Sequence, residues 1–350
     1  MTSVPELSVI VPAFRATRLL PDTLAALVAS DLPRERWELI VVDDAGGDDT
    51  GAVAAQWADR VVILAQPPGG PGRGRNAGAA IARGRWLVFV DQDVRIHPDA
   101  LSRVMTNAAE QPDLVAMFGT YDAHPSEPGV LSEYRNLLHR RVHCAGAGDA
   151  ETFWAGCGAV RRDAFEAVNG FDLVRFPRGQ IEDIELGYRL RDAGGRILLD
   201  PAIQGTHLKK WTFGVMVRTD IRDRGIPWMR LLLERGHRRA AALNTGRAEQ
   251  LKVVLAASAP TLGLVAAVLH SSRIALAGLL VLLALIASNV RTYAWFARER
   301  GWGFALLVIP LNLLYYLGNG VAAAAGIWQH LTRTRTASVP EPLPERRADA

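Results

Sequence analysis

Two carboxylates separated by one residue follow an apolar run in the N-terminal half of the chain. Asp91 and Asp93, with Gln92 between them, come directly after WLVFV. Carboxylates at the end of a buried strand can bridge a hard cation to phosphate oxygens, and Mg²⁺ or Mn²⁺ suits oxygen ligands of this kind. Aspartates also form turns readily. The motif therefore indicates a cation site or a turn, and its position after an apolar strand favours the cation.

A second acidic pair and a glycine-rich stretch could bind a nucleotide. Asp43 and Asp44 end the run LIVV, where a carboxylate can accept hydrogen bonds from a base or ribose; an Asx turn is the alternative. In GGPGRGRNAGAA, the glycines permit close backbone approach, and Arg73, Arg75 and Asn76 can face phosphates or the acidic cluster. The spacing G-x-G-x-x-A follows the third predicted strand rather than the first, which disfavours a dehydrogenase.

A third acidic pair is placed to act on a proton. Glu182 and Asp183 open a segment whose apolar residues have helical spacing, so both carboxylates lie near a helix N-terminus. The helix dipole favours the ionised form of an acid there, and an ionised carboxylate beside a cleft can serve as a general base. Helix capping is the competing explanation for acids at this position.

The elements that must position these residues alternate between short β-branched runs and helical stretches. From residue 7 to 119 the rhythm predicts an α/β fold with a mostly parallel sheet and helices on both faces. Ligands of such sheets bind beyond the carboxyl ends of the strands. We therefore expect Pro12 to Arg15 and the pairs at 43–44 and 91–93 to meet at one edge. Residues 122–148 are expected to form a loop.

The C-terminal part has a different composition. The chain has 350 residues and is 49% apolar. Three apolar stretches, 253–270, 274–290 and 304–328, approach the length of about 20 residues that a bilayer requires. Arg291, Arg298 and Arg300 are expected to lie in a cytoplasmic loop, and the N-terminus does not resemble a secretory signal. The sequence predicts a multi-pass protein of the inner or plasma membrane with a cytoplasmic N-terminal domain.

The positive charge of the chain is concentrated next to the apolar stretches. Ten of the Lys and Arg residues fall between 207 and 247. A cluster in this position indicates attraction to anionic headgroups, or alternatively a solvated helix face, and no motif for nucleic-acid binding accompanies it. Cys144 and Cys157 are too few for a disulfide framework or a zinc site, so we expect them to be reduced packing residues.

Seven segments in order, SVIVPAF, VVDDAGGDDT, GRGRNAGAA, FVDQD, GCGAVRRDAF, NGFD and EDIELGYRL, resemble the family 2 glycosyltransferases of the GT-A fold. The resemblance covers about residues 7 to 210 and implies an inverting reaction. It implies a base at Asp183, beside Glu182, and an acceptor side at Trp154, Gly156 and Cys157. The predicted metal ligands are Asp91, Asp93 and His207; the resemblance suggests His207 as the third ligand, and a hydrogen-bonded structural histidine is the alternative. The predicted nucleotide-sugar site contains Pro12, Ala13, Phe14, Arg15, Asp43, Asp44, Arg75, Asn76, Asp91 and Gln92.

These expectations give a concrete functional prediction. A nucleotide-diphosphate sugar is the donor, Mg²⁺ or Mn²⁺ is the cofactor, and a membrane lipid, glycolipid or cell-envelope glycan is the acceptor. The processive members of this family carry Gln-x-x-Arg-Trp after the base; this chain does not, so transfer of a single sugar is favoured over polymer synthesis. A non-catalytic nucleotide-binding module is the other alternative. The predicted parts are a catalytic domain (1–210), a basic interfacial segment (211–250), a membrane domain with about three helices (251–330) and a disordered tail (331–350).

Overall fold

The computed structural model describes residues 4–236, 243 and 245–332. Its N-terminal part is built on one sheet, whose strands are β1 (Leu7–Ala13), β2 (Trp37–Asp43), β3 (Arg60–Ile63), β4 (Trp86–Val90), β5 (Val94–Ile96), β6 (Leu114–Tyr121), β7 (Gly148–Ala150), β8 (Cys157–Arg161) and β9 (Arg196–His207). The strand order is β3-β2-β1-β4-β8-β6-β9-β5, and β7 pairs with β9.

Helices flank the sheet and then form the C-terminal region. Those of the first part are α1 (Leu20–Val28), α2 (Thr50–Ala54), α3 (Pro71–Ile81), α4 (Ala100–Glu110), α5 (Val130–Ala145), α6 (Arg162–Ala167) and α7 (Glu182–Asp192). After β9 come α8 (Phe213–Arg218), a π-helical turn (Thr219–Gly225), α9 (Ile226–Arg235), α10 (Arg247–Val268), α11 (Ser272–Ser288), α12 (Val290–Leu307) and α13 (Ile309–Thr332).

The predicted βαβ rhythm is confirmed in the first half of the sheet. Strands β3, β2, β1 and β4 run parallel. Every residue of β1, β2 and β4 is buried, which is why each strand contains a continuous apolar run rather than an alternating pattern. The parallel arrangement brings the residues after β1, β2 and β4 to one edge, as expected.

The second half of the sheet is mixed, which corrects the expectation of a mostly parallel sheet. Strand β8 lies antiparallel between β4 and β6, while β6 and β9 are parallel and β5 and β7 pair antiparallel with β9. Apolar periodicity identifies a strand but not its direction, so the sequence pattern could not reveal the reversal. At Gly158 of β8 a Cβ would approach the Trp154 carbonyl oxygen to 2.4 Å, so this strand requires a glycine there.

The stretch expected to form a loop between residues 122 and 148 contains the 16-residue helix α5. Its residues Tyr134, Leu137 and Leu138 have the i, i+3, i+4 spacing of one helix face and pack against α12 and α13. The histidines and arginines interspersed among them obscured that periodicity. Helix α5 thus lies between the sheet and the C-terminal helices.

The C-terminal helices provide fewer membrane-spanning candidates than the three predicted. Among the described residues, only α10 is by itself long and apolar enough to cross a bilayer; α11 and α12, bent by 53° at their junction, meet the same criterion together. Helix α13 does not meet it. The expected loop at 291–303 is helical, with a break at Gly301, whose φ is +83°. The predicted tail is residues 331–350, and from residue 333 onwards it lies outside the described residues.

Polar contacts join the C-terminal helices to the sheet domain. Arg300 of α12 donates a hydrogen bond of 2.7 Å to Glu133 of α5. The Tyr134 hydroxyl of α5 donates to the Asn312 side chain of α13 at 3.2 Å. Because both contacts involve α5, this helix fixes the side of the junction that belongs to the sheet domain.

Candidate active site

The loop after β1 is held against the Asp91–Asp93 loop by Gln92. The Phe14 backbone N–H donates to Gln92 Oε1 at 2.6 Å, and Gln92 Nε2 donates to the Phe14 carbonyl at 3.3 Å. Arg15 adopts a φ of +48° and donates from Nε to the Gly46 carbonyl at 3.2 Å. The predicted Pro12–Arg15 segment and the acidic loop are therefore brought together, with the Gln92 amide used to join them.

Asp43 and Asp44 are buried and shape the adjoining loops. Asp43 Oδ1 accepts from the Gly46 N–H, three residues on, at 2.9 Å, so this carboxylate orders the loop locally as the turn alternative expected. Asp44 Oδ2 accepts from the N–H groups of Gly69 and Gly70 at 2.8 and 2.6 Å. The second carboxylate thus fixes the glycine-rich loop that precedes α3, at the edge where a nucleotide is expected.

Arg75 connects two of the acidic clusters. Its guanidinium donates to Asp91 Oδ1 at 2.6 Å and to Glu182 Oε1 at 3.0 Å. Arg75 and Glu182 are only 3% and 4% exposed, so this ion pair is removed from solvent. Glu182 also accepts from the Gln180 N–H at 2.8 Å. With both of its oxygens bonded in this way, Glu182 holds the start of α7 against α3.

Asn76 clamps the loop before α7. Its Nδ2 donates to the Phe171 carbonyl and its Oδ1 accepts from the Phe171 N–H, both at 2.9 Å. The preceding residues Asn169 and Gly170 have φ values of +60° and +62°, in the left-handed region that asparagine and glycine tolerate best. In this structure the Asn76 amide is used for the loop rather than turned towards a phosphate.

The predicted cation ligands lie near one another at the end of β4 and β9. His207 Nε2 lies 3.8 Å from Asp93 Oδ2, and the Leu208 N–H donates to the Asp93 carbonyl at 2.8 Å. Burial lowers the pKa of His207 to about 3, so its imidazole is neutral at physiological pH. Burial raises the pKa of both Asp91 and Asp93. The negative charge of Asp93 raises the pKa of Asp91 further.

This donor set fits a divalent cation chemically. Two carboxylates and a neutral imidazole are ligands that Mn²⁺ and Mg²⁺ accept, and a nearby positive ion would offset the cost of burying the two acids. Within the described residues no three such side chains are converged as a finished metal site. One oxygen of Asp91 is bonded to Arg75.

Asp183 lies against the segment predicted to contact the acceptor. Its Oδ2 accepts from the Ala155 N–H at 3.2 Å, next to Trp154, and its Oδ1 accepts from the Ile184 N–H at 2.8 Å. Burial raises the pKa of Asp183 to about 6; the neighbouring Glu182 also raises it, while Arg75 and Arg224 lower it. An acid with such a pKa is largely ionised at neutral pH and still basic enough to take a proton.

The other two predicted acceptor residues shape the backbone. A Cβ at Gly156 would come within 2.4 Å of the Trp154 ring, so only glycine permits the indole to lie across this position. The Gly156 carbonyl accepts from the Asp91 N–H at 3.1 Å. Cys157 pairs with Val90 in the sheet, and burial raises the pKa of its thiol to about 12. Cys157 is therefore a packing residue, as expected from the small number of cysteines in the sequence.

An aromatic wall that the sequence did not identify adjoins the site. Tyr121 stacks on His207 with ring centroids 4.4 Å apart and meets Trp154 edge-on at 4.9 Å. His139 lies 4.7 Å from Trp154 and 3.9 Å from His143. The signal available in the sequence was the i, i+4 spacing of the two histidines, which places them on one face of α5 once that helix is recognised.

Cationic side chains from the segment after β9 line the same region. Lys209 Nζ and Arg135 Cζ lie 4.8 and 5.3 Å from the centroid of the Trp211 ring. Arg135 of α5 forms an ion pair with Asp220 of the π-helical turn. Since Trp211 in turn lies 6.2 Å from His207, this turn is held next to the site.

Arg224 is one of two exposed arginines of that turn; the other is Arg222. Arg224 follows Asp220 by four residues and so lies on the side that faces α5. It forms no hydrogen bond or ion pair within the described part of the chain. Burial lowers the pKa values of His139, His143 and His207, and the charge of Arg224 lowers all three further. The ion pair between Asp220 and Arg135 holds the turn that carries Arg224 against α5, the helix of His139 and His143, a position that nothing in the local sequence indicated.

The fold and this edge define an α/β domain of the nucleotide-sugar-binding GT-A type, with acids at strand ends and a carboxylate at the start of α7. Residues 8–168 match the family described as Glycosyl transferase family 2. This part of the chain is therefore similar to the family 2 glycosyltransferases.

Individual relatives agree with that similarity over parts of the chain. The succinoglycan biosynthesis protein ExoO of Rhizobium meliloti (strain 1021) is 38% identical over 109 residues, 30% of each protein. Validoxylamine A glucosyltransferase of Streptomyces hygroscopicus subsp. jinggangensis (strain 5008) is 29% identical over 227 residues, which are 55% of this chain and 52% of that protein. The matches to these curated relatives thus span about a third to half of the relatives' length.

A solved structure resembles the chain over most of its length. The mannosyltransferase PcManGT of Pyrobaculum calidifontis, solved in complex with GDP-Man and Mn²⁺, superposes with a TM-score of 0.56 at 19% identity. The match covers 94% of this chain and 88% of the mannosyltransferase. At this identity the likeness establishes the fold, which includes the GT-A sheet.

Proposed function

We propose that the chain is an inverting glycosyltransferase that moves one sugar from a nucleotide-diphosphate sugar to a membrane-associated acceptor. The observation that carries the proposal is the position of Asp183, a carboxylate at the start of α7 whose Oδ2 lies 3.2 Å from the Ala155 nitrogen, beside Trp154. The family similarity and the acids at the ends of β2 and β4 support a nucleotide-sugar donor.

The protein's own residues would contribute by orientation and by proton transfer. In an inverting reaction the acceptor oxygen attacks the anomeric carbon on the side opposite the diphosphate, so donor and acceptor must be aligned in one cleft. Asp183 would accept the proton of the attacking hydroxyl as the new bond forms. Trp154, which is only 8% exposed and packs over Gly156, would shape the wall of the acceptor side next to Asp183.

The departing diphosphate requires positive charge. Asp91, Asp93 and His207 would hold a divalent cation. When bound, the cation would neutralise negative charge on the departing diphosphate. Lys209 adds a positive charge of the protein near the same place. Its charge lowers the pKa of Asp93, although burial raises that pKa by more. The Mn²⁺ in the solved mannosyltransferase is consistent with this proposal.

The membrane association rests on the C-terminal helices. Helix α10 qualifies as a span, and only 11% of its apolar window is buried inside the protein. Apolar residues such as Leu264, Leu276 and Trp328 are more than half exposed. Burial of these surfaces in a bilayer would place the catalytic domain at the membrane surface, with the cytoplasm as its proposed compartment.

The test is transfer by membranes that contain the full chain. Membrane fractions would be incubated with a panel of labelled nucleotide sugars and Mg²⁺ or Mn²⁺, then extracted for lipids and glycans; membranes with Asp183→Asn serve as the matched control. We expect label in the lipid phase or on a short glycan, absent from the control. Long labelled polymers would indicate a processive synthase, and the absence of both transfer and nucleotide binding would contradict the proposal.

A further inference from the structure

The acceptor side of the site has binding capacity that the protein itself leaves unused. Arg224 is exposed and forms no hydrogen bond or ion pair among the described residues. Two buried ring nitrogens, His139 Nδ1 and Trp211 Nε1, also have no hydrogen-bond partner in the part of the chain that the structure describes. Unpaired buried polar atoms are uncommon in proteins and require an explanation.

The location of Arg224 is fixed by contacts on both sides of its turn. On one side, Asp220 pairs with Arg135, whose guanidinium lies over the Trp211 ring. On the other side, the turn packs closely on α13, because a Cβ at Gly225 would come within 2.6 Å of the Ala322 Cβ. Arg224 therefore lies at the junction between the catalytic cleft and the apolar helices.

An apolar surface begins next to this junction. Val321, which precedes Ala322 in α13, is 56% exposed, and further along the helix Trp328 is 69% exposed. An amphiphile whose chain lies along this helix would present its polar end to the π-helical turn. The cleft and the apolar surface thus adjoin at the turn that carries Arg224.

We infer that Arg224 binds a phosphate group carried by an amphiphilic acceptor, at a subsite between the π-helical turn and α5. The inference rests on the proposed function. A guanidinium with free N–H groups matches phosphate oxygens in charge and geometry, and His139 and Trp211 add hydrogen-bonding atoms nearby. A residue that served only to tune Asp183 would be expected to bond to it directly, and Arg224 does not. A neutral sugar acceptor would have no use for this cation.

The test is binding of three probes to the full chain in nanodiscs of a zwitterionic lipid. Decyl phosphate carries both a phosphate and an apolar chain, decanol carries only the chain, and glycerol phosphate carries only the phosphate. The three probes therefore distinguish the contribution of the phosphate to binding from that of the chain. Binding is measured from the change in tryptophan fluorescence. We expect decyl phosphate to bind at least tenfold more tightly than either of the other two probes. Arg224→Gln should weaken the binding of decyl phosphate roughly tenfold or more and leave the affinity for decanol unchanged.

Arg222 provides the matched control. It is an exposed arginine of the same turn, two residues away and thus directed differently, so Arg222→Gln should change binding less than twofold. Equal binding of decyl phosphate to wild type and Arg224→Gln would overturn the inference. Equal affinity for glycerol phosphate and decyl phosphate would overturn its amphiphilic part.

A nucleoside diphosphate, titrated in parallel, separates this inference from the proposed function. Arg224→Gln should bind it as wild type does; selective loss of nucleotide binding would assign Arg224 to the donor side and overturn the inference. If no nucleotide bound to wild type while decyl phosphate still bound through Arg224, the proposed function would fail and the subsite would remain.

Discussion

Arg75 donates a 2.6 Å hydrogen bond to Asp91, a residue predicted to bind the cation, and this contact joins α3 to the end of β4. The other terminal nitrogen of the same guanidinium bonds to Glu182 at 3.0 Å. Because Arg75 is almost fully buried, its charge is compensated by these two carboxylates and not by water. The arginine therefore supports the positions of both the cation loop and the start of α7.

Arg75→Gln should destabilise the protein strongly. The change leaves Glu182 buried without its cationic partner, and breaking a buried pair in this way costs about 3–5 kcal/mol of unfolding free energy. Thermal unfolding of the full chain in detergent measures the effect. Arg85→Gln, at an exposed position, is the control and should alter stability by no more than about 0.5 kcal/mol. Similar melting of the two variants would show that the buried network contributes little.

Glu182 and Asp183 should separate in their effects although they are adjacent. Glu182→Gln weakens the bond to Arg75 and should lower the melting temperature. Asp183→Asn keeps the size and one acceptor oxygen, which can retain one of the two bonds from the Ala155 and Ile184 N–H groups. The fold and donor binding should therefore survive while transfer falls by roughly 10²- to 10⁴-fold. Melting temperature and the rate of transfer are measured on both variants. If Glu182→Gln alone abolished transfer without loss of stability, the base would be Glu182.

Chelation should abolish turnover if the acids after β4 hold a cation. Treatment with EDTA removes the ion, and Asp93→Ala removes one proposed ligand from a loop that contributes little packing, so each should stop transfer without unfolding the chain. Restoration by Mn²⁺ is expected for the treated wild type only. His207→Ala should raise the Mn²⁺ concentration needed for half-maximal activity. Full activity of the chelated enzyme would exclude the cation from the reaction.

The parallel half of the fold could be predicted because its strands are buried on both faces and appear in the sequence as uninterrupted apolar runs. The direction of β8 could not, because a strand pattern is the same in either direction. Helix α5 was missed since charged and histidine residues interrupt its apolar face. Apart from Ala145, every residue of this helix is buried or partly buried, so its polar residues also pack against neighbouring elements.

The chemistry of the site followed the same division. Asp43, Asp44, Asp91 and Asp93 were identified because strand ends of a parallel sheet meet at one edge. The bonds that these residues and their neighbours make were not predictable. Gln92, for instance, joins two loops that are 78 residues apart in the chain. Arg224 lies still further along the sequence and reaches the site only because α5 and α13 hold its turn in place.

The orientation of the catalytic domain is a separate prediction. Arg300, one of the arginines from which a cytoplasmic position was inferred, is bonded to Glu133 of α5, so this end of α12 lies on the same side as the catalytic domain. A reporter fused at residue 1 should be active in the cytoplasm only. Activity of that reporter on the opposite side of the membrane would contradict the predicted orientation.

The pH dependence of transfer should report the ionisation of Asp183. Burial raises the pKa of this carboxyl to about 6, above its ordinary value of 3.8. A base must be unprotonated, so the rate should rise as pH increases through about 6 and level off above 7. The same shift affects stability with the opposite sign: the folded state retains the proton more strongly than the unfolded state, so this residue's contribution to folding is lost as pH rises from about 4 to 6. Asp183→Asn should therefore remove the acidic limb from its residual rate and be more stable than wild type at pH 7 but not at pH 4. Rate profiles and melting curves across this range test both consequences, and an acidic limb retained by Asp183→Asn would assign the limb to another group.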